Sequence, residues 1–272
     1  MRPSLKPITM WKAKKSFGQH FLTSEQIAQR IAESLLKTAT YDKVLEVGPG
    51  KGILTKFLLD KPYELIAVEA DEDMVTYLRQ FFPQLDGRVV AADFLKLRLE
   101  EVMGDGAFAI IGNFPYNISS QILIKMLDYR AQVPELVGMF QREMAERVIA
   151  PPGSKTYGVI SVLVQAYYKG EYLFTVKQGS FNPPPKVQSA VIRLVRKPQA
   201  SLGCDEKLFR RIVKQTFNQR RKILRYTQKA LFPDELLKEE FYQQRPESLS
   251  VADFVKLTRI AEELKDSPAE GL

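Results

Sequence analysis

The chain contains one cysteine, Cys204, and one histidine, His20, in 272 residues. A single cysteine forbids an intramolecular disulfide, and so few cysteines and histidines argue against a Cys/His metal cluster or a Ser-His catalytic pair. Long apolar runs are missing as well. No stretch reaches the roughly 18 uninterrupted apolar residues of a membrane span, and Met1 to Lys15, basic and free of acids, lack the apolar core of a secretory leader. Acidic residues are the minority charge: 32 Asp and Glu against 40 Lys and Arg give +8 and a pI near 9.4, which suits a polyanionic partner such as nucleic acid. These absences predict a soluble cytoplasmic protein without a metal and without a membrane partner.

Hydrophobic residues make up 45% of the chain, enough for one sizeable core and a second small one. Short apolar runs at Val44 to Val47, Leu65 to Val68, Val89 to Ala91, Phe108 to Ile111 and Leu136 to Phe140 read as strands separated by helical patterns. That alternation predicts an α/β fold around a parallel sheet. Thr23-Ser24-Glu25, followed by Ile27, Ile31, Leu35 and Leu36, reads as a capped amphipathic helix ahead of the first strand. Tyr157 to Tyr168 is long and rich in β-branched residues, so periodicity does not separate helix from strand, and the reading leans towards helix. Glu171 to Lys177 and Ser189 to Val195 read as strands that close the sheet as an antiparallel pair through the Pro183-Pro184-Pro185 loop. Beyond Lys197 to Gly203 the sequence turns charged and helix-forming, so the expected division is residues 1–200 and a helical domain at 201–272.

Ligand chemistry gathers at the strand ends. Val44-Leu45-Glu46-Val47-Gly48-Pro49-Gly50-Lys51-Gly52 is a strand entering a glycine-rich turn, where backbone can approach a ligand closely. Its G-x-G-x-G spacing departs from the dinucleotide G-x-G-x-x-G pattern, and Glu46 suits a ligand with an ammonium or sulfonium better than a pyrophosphate. Glu69 ends the next strand, where a carboxylate can accept from both hydroxyls of a ribose, and Asp93 ends the third, placed to accept from an adenine amine. Taken singly, each carboxylate is an ordinary helix cap. Taken together with Asn113, they occupy the edge where open α/β sheets bind ligands, and they describe an S-adenosylmethionine pocket.

Asn113-Phe114-Pro115-Tyr116 follows the fourth run. The N6 amine of adenine is a weak nucleophile because its lone pair is delocalised into the ring, so a catalyst must hold it with neutral acceptors. Asn113 offers a side-chain carbonyl, Pro115 restrains Phe114 and thereby aims its backbone carbonyl, and Tyr116 offers a face for an unstacked purine. A plain strand-ending turn reads the same four residues equally well.

With these motifs the chain resembles, over nearly its whole length, the small-subunit ribosomal RNA adenine N6,N6-dimethyltransferases. The likeness rests on Lys14 to Leu22, Glu46 to Gly50, Gly112 to Ser119, Phe181 to Ser189 and Phe217 to Leu224. It implies a Rossmann-like methyltransferase domain with a small C-terminal helical domain. The implied cofactor is S-adenosyl-L-methionine, leaving as S-adenosyl-L-homocysteine, and the implied substrate is two adjacent adenosines near the 3′ end of small-subunit (16S) ribosomal RNA. The resemblance further implies a monomer acting on a pre-30S particle. It brings His20 and Leu22 over the donor and makes Phe181 a second stacking face opposite Tyr116, whereas the sequence alone reads Phe181 at least as well as a core anchor for its loop. His20 stands where many bacterial relatives carry Asn.

Lys207, Arg210, Arg211, Lys214, Arg220, Arg221, Lys222, Arg225 and Lys229 fall in a stretch with no acidic residue, and with Lys14 and Lys15 they form a candidate RNA-binding surface. Solvated helix faces give the same pattern. Two alternatives share the Asn-x-Pro-Tyr logic: the large-subunit adenine methylases of macrolide resistance, and methylases of protein glutamine. A third is a non-catalytic RNA-binding assembly or transcription factor.

Overall fold

The computed structural model describes residues 19–36, 40–199 and 201–266. Strands are β1 (Phe21–Leu22), β2 (Lys43–Val47), β3 (Glu64–Glu69), β4 (Val89–Ala91), β5 (Phe108–Asn113), β6 (Glu135–Gln141), β7 (Tyr168–Val176), β8 (Phe181–Asn182) and β9 (Ser189–Arg196). Helices are α1 (Glu25–Glu33), α2 (Thr55–Leu58), α3 (Glu72–Phe81), α4 (Leu99–Met103), α5 (Ser119–Asp128), α6 (Arg142–Ile149), α7 (Val159–Tyr167), α8 (Glu206–Phe217), α9 (Leu224–Thr227) and α10 (Val251–Asp266).

Seven strands form one sheet in the order β4-β3-β2-β5-β6-β9-β7. The first five run parallel, as their continuous apolar sequences require of strands buried on both faces. β9 is antiparallel to β6, with Met139 opposite Val191, and β7 lies beyond it at the edge. The parallel register brings the carboxyl ends of β2, β3, β4 and β5 to one edge. The order reverses between β2 and β5, and ligands bind at such switch points. The Ser24 hydroxyl accepts the Ile27 N–H at the start of α1, as the Thr-Ser-Glu sequence predicts.

A second sheet was not foreseen. β1 and β8 pair antiparallel, Leu22 opposite Phe181, and the Thr23 N–H donates to the Ser180 carbonyl at 2.8 Å. The two strands lie far apart in sequence and are too short to show a period.

The chain divides into two compact units. One runs to Ala145 and includes Glu171–Arg196; the other joins Glu146–Gly170 to Lys197 onward. The division expected near residue 200 therefore differs for Glu146–Gly170. The cause is packing: α7 is apolar around most of its circumference, with Ile160, Val162, Leu163, Val164 and Ala166 buried, and it lies against α8 and α10. In that second unit α8 starts at Asp205, whose carboxylate accepts the Lys207 and Leu208 N–H groups, and α10 starts with the reciprocal pair Ser250 and Asp253.

Candidate active site

Within the first unit the carboxyl ends of β2 to β5 border a cavity of about 470 Å³, in the range of small-ligand sites. Among its lining residues are His20, Leu22, Glu46, Gly48, Gly50, Glu69, Asp93, Asn113, Phe114, Pro115 and Tyr116, the complete set expected from the sequence apart from Phe181. Phe94 and Leu95 add an apolar wall.

The glycine turn adopts a conformation closed to most side chains, with φ of +70° at Gly48 and +56° at Gly50. At Gly50 a Cβ would stand 2.9 Å from the Phe21 ring, so the turn and the β1 strap fit together only through the bare backbone. The Gly50 N–H donates to Glu69 Oε2 at 3.0 Å, and the Asp71 N–H donates to Glu69 Oε1 at 2.9 Å. Both oxygens are thus aimed while keeping lone pairs for further donors. Burial raises the Glu69 carboxyl above its ordinary value, against the opposing effect of those two N–H groups.

Glu46 is only 1% exposed, and Thr55 Oγ1 donates to its Oε2 at 2.7 Å. Burial pushes this carboxyl up to about 8, with the Thr55 hydrogen bond opposing and the neighbouring Glu69 adding to the rise. A buried acid without a cation holds its proton; a positive ligand beside it would release that proton. Asp93 differs, being 44% exposed on its side chain, with Oδ1 accepting the Leu95 N–H at 2.9 Å.

Asn113 ends β5. Its Nδ2 donates to the His20 carbonyl at 3.0 Å, whereas its Oδ1 has no donor among the described residues. The Phe114 ring is buried against Phe140, with centroids 5.1 Å apart, and its N–H donates to the Met139 carbonyl at 3.1 Å. This anchoring fixes the Phe114 carbonyl, which likewise meets no donor among the described residues. Two neutral acceptors on consecutive residues are therefore left for a ligand. The Tyr116 hydroxyl and Ser189 Oγ share a 2.6 Å hydrogen bond that holds the phenol ring, and burial raises the Tyr116 hydroxyl above its ordinary value, with the Ser189 bond opposing.

Phe181 lies apart from the cavity lining, as the core-anchor reading of its loop expects. Its ring is 4% exposed and packs in the core with Leu22, Ile31, Leu35 and Val176. Burying such a ring is worth about 1.5–3 kcal/mol, and the β8 pairing with Leu22 turns it inward. The ring that does lie against Tyr116 is His20, with centroids 5.5 Å apart and planes 28° from parallel. His20 Nδ1 donates to the Pro183 carbonyl at 2.9 Å. His20 thus joins the β1 strap, the Asn113 carboxamide and the proline loop. Three residues not foreseen support the site: Thr55 on Glu46, Ser189 on Tyr116, and Gln19, which donates to Asp71 at 3.0 Å. Gln19 and Ser189 stand inside motifs visible in the sequence; Thr55 carries no sequence signal of its own.

Of the expected RNA contacts, Lys14 and Lys15 lie outside the described residues. In the second unit Arg211 and Lys214 are exposed on α8 opposite buried Phe209, Ile212 and Val213, and Arg221 and Lys222 are exposed beyond it. Arg210 is half-buried and engaged within the protein. Arg220 is half-buried, and its guanidinium donates to the Lys155 carbonyl at 2.6 Å, which engages one of its N–H groups within the protein.

The family pattern described as ribosomal RNA adenine dimethylase matches residues 10–263. The ribosomal RNA small subunit methyltransferase A of Parabacteroides distasonis is 54% identical across 92% of this chain and 94% of its own length. The protein of the same description from Flavobacterium johnsoniae is 52% identical, covering 91% and 95%. Among solved structures, a dimethyladenosine transferase from Plasmodium falciparum superposes with a TM-score of 0.77 at 26% identity, over 90% of this chain and 98% of that one. The 23S rRNA methyltransferase ErmE superposes at 0.67 with 23% identity over 89% and 99%, a likeness of fold. A cavity at the switch point of the sheet, bordered by two acceptors that meet no donor among the described residues, lies in a sequence that matches one pattern almost end to end, and the chain belongs to the ribosomal RNA adenine dimethylase family.

Proposed function

We propose that the protein transfers methyl groups from S-adenosyl-L-methionine to N6 of two adjacent adenosines near the 3′ end of small-subunit ribosomal RNA, giving N6,N6-dimethyladenosines. The observation that carries this reading is the pair of unpartnered acceptors, Asn113 Oδ1 and the Phe114 carbonyl, at the mouth of a donor-sized cavity. A sulfonium ligand supplies an activated methyl group, so the protein has only to bind, orient and exclude water. The cavity fits such a ligand: the bare Gly48 to Gly50 turn admits its backbone-facing side, Glu69 faces hydroxyls, and the buried Glu46 carboxyl answers a positive charge. In the first transfer Asn113 and Phe114 accept the two N6 hydrogens, and in the second one of them accepts the hydrogen that remains, which localises the nitrogen lone pair towards the methyl carbon. As the C–N bond forms, the C–S bond breaks to leave a thioether, and the extra proton on nitrogen departs to water. Tyr116 seats the purine ring. No Lewis acid is needed, because the leaving group is already cationic.

The reading extends to a pre-30S particle as substrate, a monomeric enzyme and the cytoplasm, with the first unit serving donor and base and the second unit serving RNA. No described helix is long and apolar enough to cross a membrane. The large-subunit and protein-glutamine alternatives are separated by one assay. The protein is incubated with labelled donor and, in parallel, undermethylated small subunits, naked large-subunit RNA and a release-factor protein. Label in the small subunits alone is expected; label only in either other acceptor would overturn the reading.

The state of Glu46 gives a further expectation. Its folded pKa lies above the usual carboxylate value near 4.5, so its contribution to stability is full below that value and is lost as pH rises towards about 8. The empty protein therefore loses stability across this window, and Glu46→Gln flattens that loss in thermal melts. Donor binding at neutral pH should release a proton, seen as a calorimetric heat that varies with the ionisation enthalpy of the buffer. A buffer-independent heat would contradict the assignment.

A further inference from the structure

Tyr226 is the most exposed large apolar side chain among the described residues, at 61%. It sits in a basic setting: no Asp or Glu occurs between Glu206 and Asp234, and within five positions of the ring stand Arg221, Lys222, Arg225 and Lys229, all exposed. None of these four has a carboxylate partner among the described residues, and the Tyr226 hydroxyl has no hydrogen bond there.

The turn that carries the ring is rigid. α9 buries Leu224 and Thr227 on its inner side, which leaves Arg225 and Tyr226 facing outward. Gln228 Nε2 donates to Thr216 Oγ1 at 2.6 Å, Gln215 Nε2 donates to the Thr227 carbonyl at 3.1 Å, and the Leu224 N–H donates to the Gln244 carbonyl at 2.9 Å. A ring held on such an anchored turn loses little further freedom on contact. The buried part of a protein interface avoids charge, so four exposed like charges within five positions of one tyrosine suit a protein partner poorly. They suit single-stranded RNA, which brings an aromatic face and phosphates together.

We propose that Tyr226 is a stacking seat for an unpaired base of the RNA substrate, with the flanking phosphates on Arg221, Lys222, Arg225 and Lys229. This site takes a base other than the methylated adenine. The inference rests on the RNA-methylating function proposed above. It differs from a plain basic patch in one respect: charge alone holds paired and unpaired RNA, whereas stacking on an exposed ring requires a free base face.

The test is fluorescence anisotropy with the full chain at fixed salt, using a labelled unpaired oligonucleotide and a blunt RNA duplex. Tyr226→Ala should weaken binding of the unpaired strand by about five- to a hundred-fold, the worth of one stacked base. Tyr226→Phe and Tyr226→Trp should hold wild-type affinity, and duplex binding and its salt dependence should not change. Three results would overturn the proposal: unpaired-strand binding by Tyr226→Ala within twofold of wild type, an equal loss for duplex, or a loss confined to intact small subunits, which would make the partner a protein. Methyl transfer by the wild type to small subunits is scored in the same preparations. Its absence would sink the functional reading, whereas transfer with an unaltered Tyr226→Ala affinity sinks this inference alone.

Discussion

Asn113→Ala lowers turnover in methyl transfer by about a hundred- to a thousand-fold, the usual cost of deleting one preorganised group that acts on the reacting atoms. Donor affinity changes much less, because the groups facing the donor, Glu46, Glu69 and the Gly48 to Gly50 turn, are held by Thr55, by backbone N–H groups and by the turn itself. Asn113 also secures the His20 carbonyl through Nδ2, so a purely structural role would produce a loss as well. Asn113→Asp separates the two. It keeps an acceptor oxygen and removes the donor to His20, so turnover above that of Asn113→Ala marks the acceptor as the important half. Single-turnover rates with saturating donor read this directly, together with an independent donor titration. Equal rates for the two variants would assign the residue to fastening the strap.

Gly112→Ala produces the largest expected effect on stability. Gly112 lies in β5 next to β2, and a Cβ there would stand 2.6 Å from the Val47 carbonyl oxygen and 2.8 Å from the Phe114 ring. The first neighbour is backbone of a central strand and cannot yield without separating β2 from β5. Overpacking of this kind costs about 1–3 kcal/mol, which corresponds to a fall in Tm of about 2–12 °C. The second neighbour links fold to catalysis. A displaced Phe114 ring carries its own carbonyl with it, so methyl transfer at a temperature where the variant is folded falls further than donor affinity does. Gly138 in β6 faces the same ring from the other side, and alanine there also drives into Phe114. A melting temperature within a degree of wild type for Gly112→Ala would show that the sheet has slack which these distances deny.

The parallel part of the sheet was legible in the sequence because strands buried on both faces must be apolar throughout, and such runs stand out between helical patterns. For the same reason Glu46, Glu69, Asp93 and Asn113 could be placed at one edge: a polar residue at or next to the end of an apolar run lies near a strand end. Tertiary pairing escaped that logic. Phe21–Leu22 and Phe181–Asn182 form two-residue strands, and nothing local in either segment indicates the other. Without that pairing the direction of the Phe181 ring stayed open, since only the strand partner decides which way it turns, and His20 stayed uncertain, since its contacts come from Tyr116, Asn113 and Pro183. The backbone contact of Arg220 was hidden for a related reason. A cation in a basic stretch looks available until a backbone carbonyl such as that of Lys155 is found within reach. The residues from Glu146 to Gly170 show the same limit at the level of whole elements, because their apolar helix packs on α8 and α10 rather than with its sequence neighbours.

The most direct test of the central claim is to locate the methyl groups. Undermethylated small subunits are incubated with the purified protein and S-adenosyl-L-methionine, and the 3′ fragment of the small-subunit RNA is analysed by mass spectrometry. The account predicts two neighbouring adenosines near that end, each carrying two methyl groups on N6, with none added by Asn113→Ala. Methyl groups on a base ring nitrogen, on ribose or on another nucleotide, or an unmodified fragment from the active wild-type protein, would contradict it.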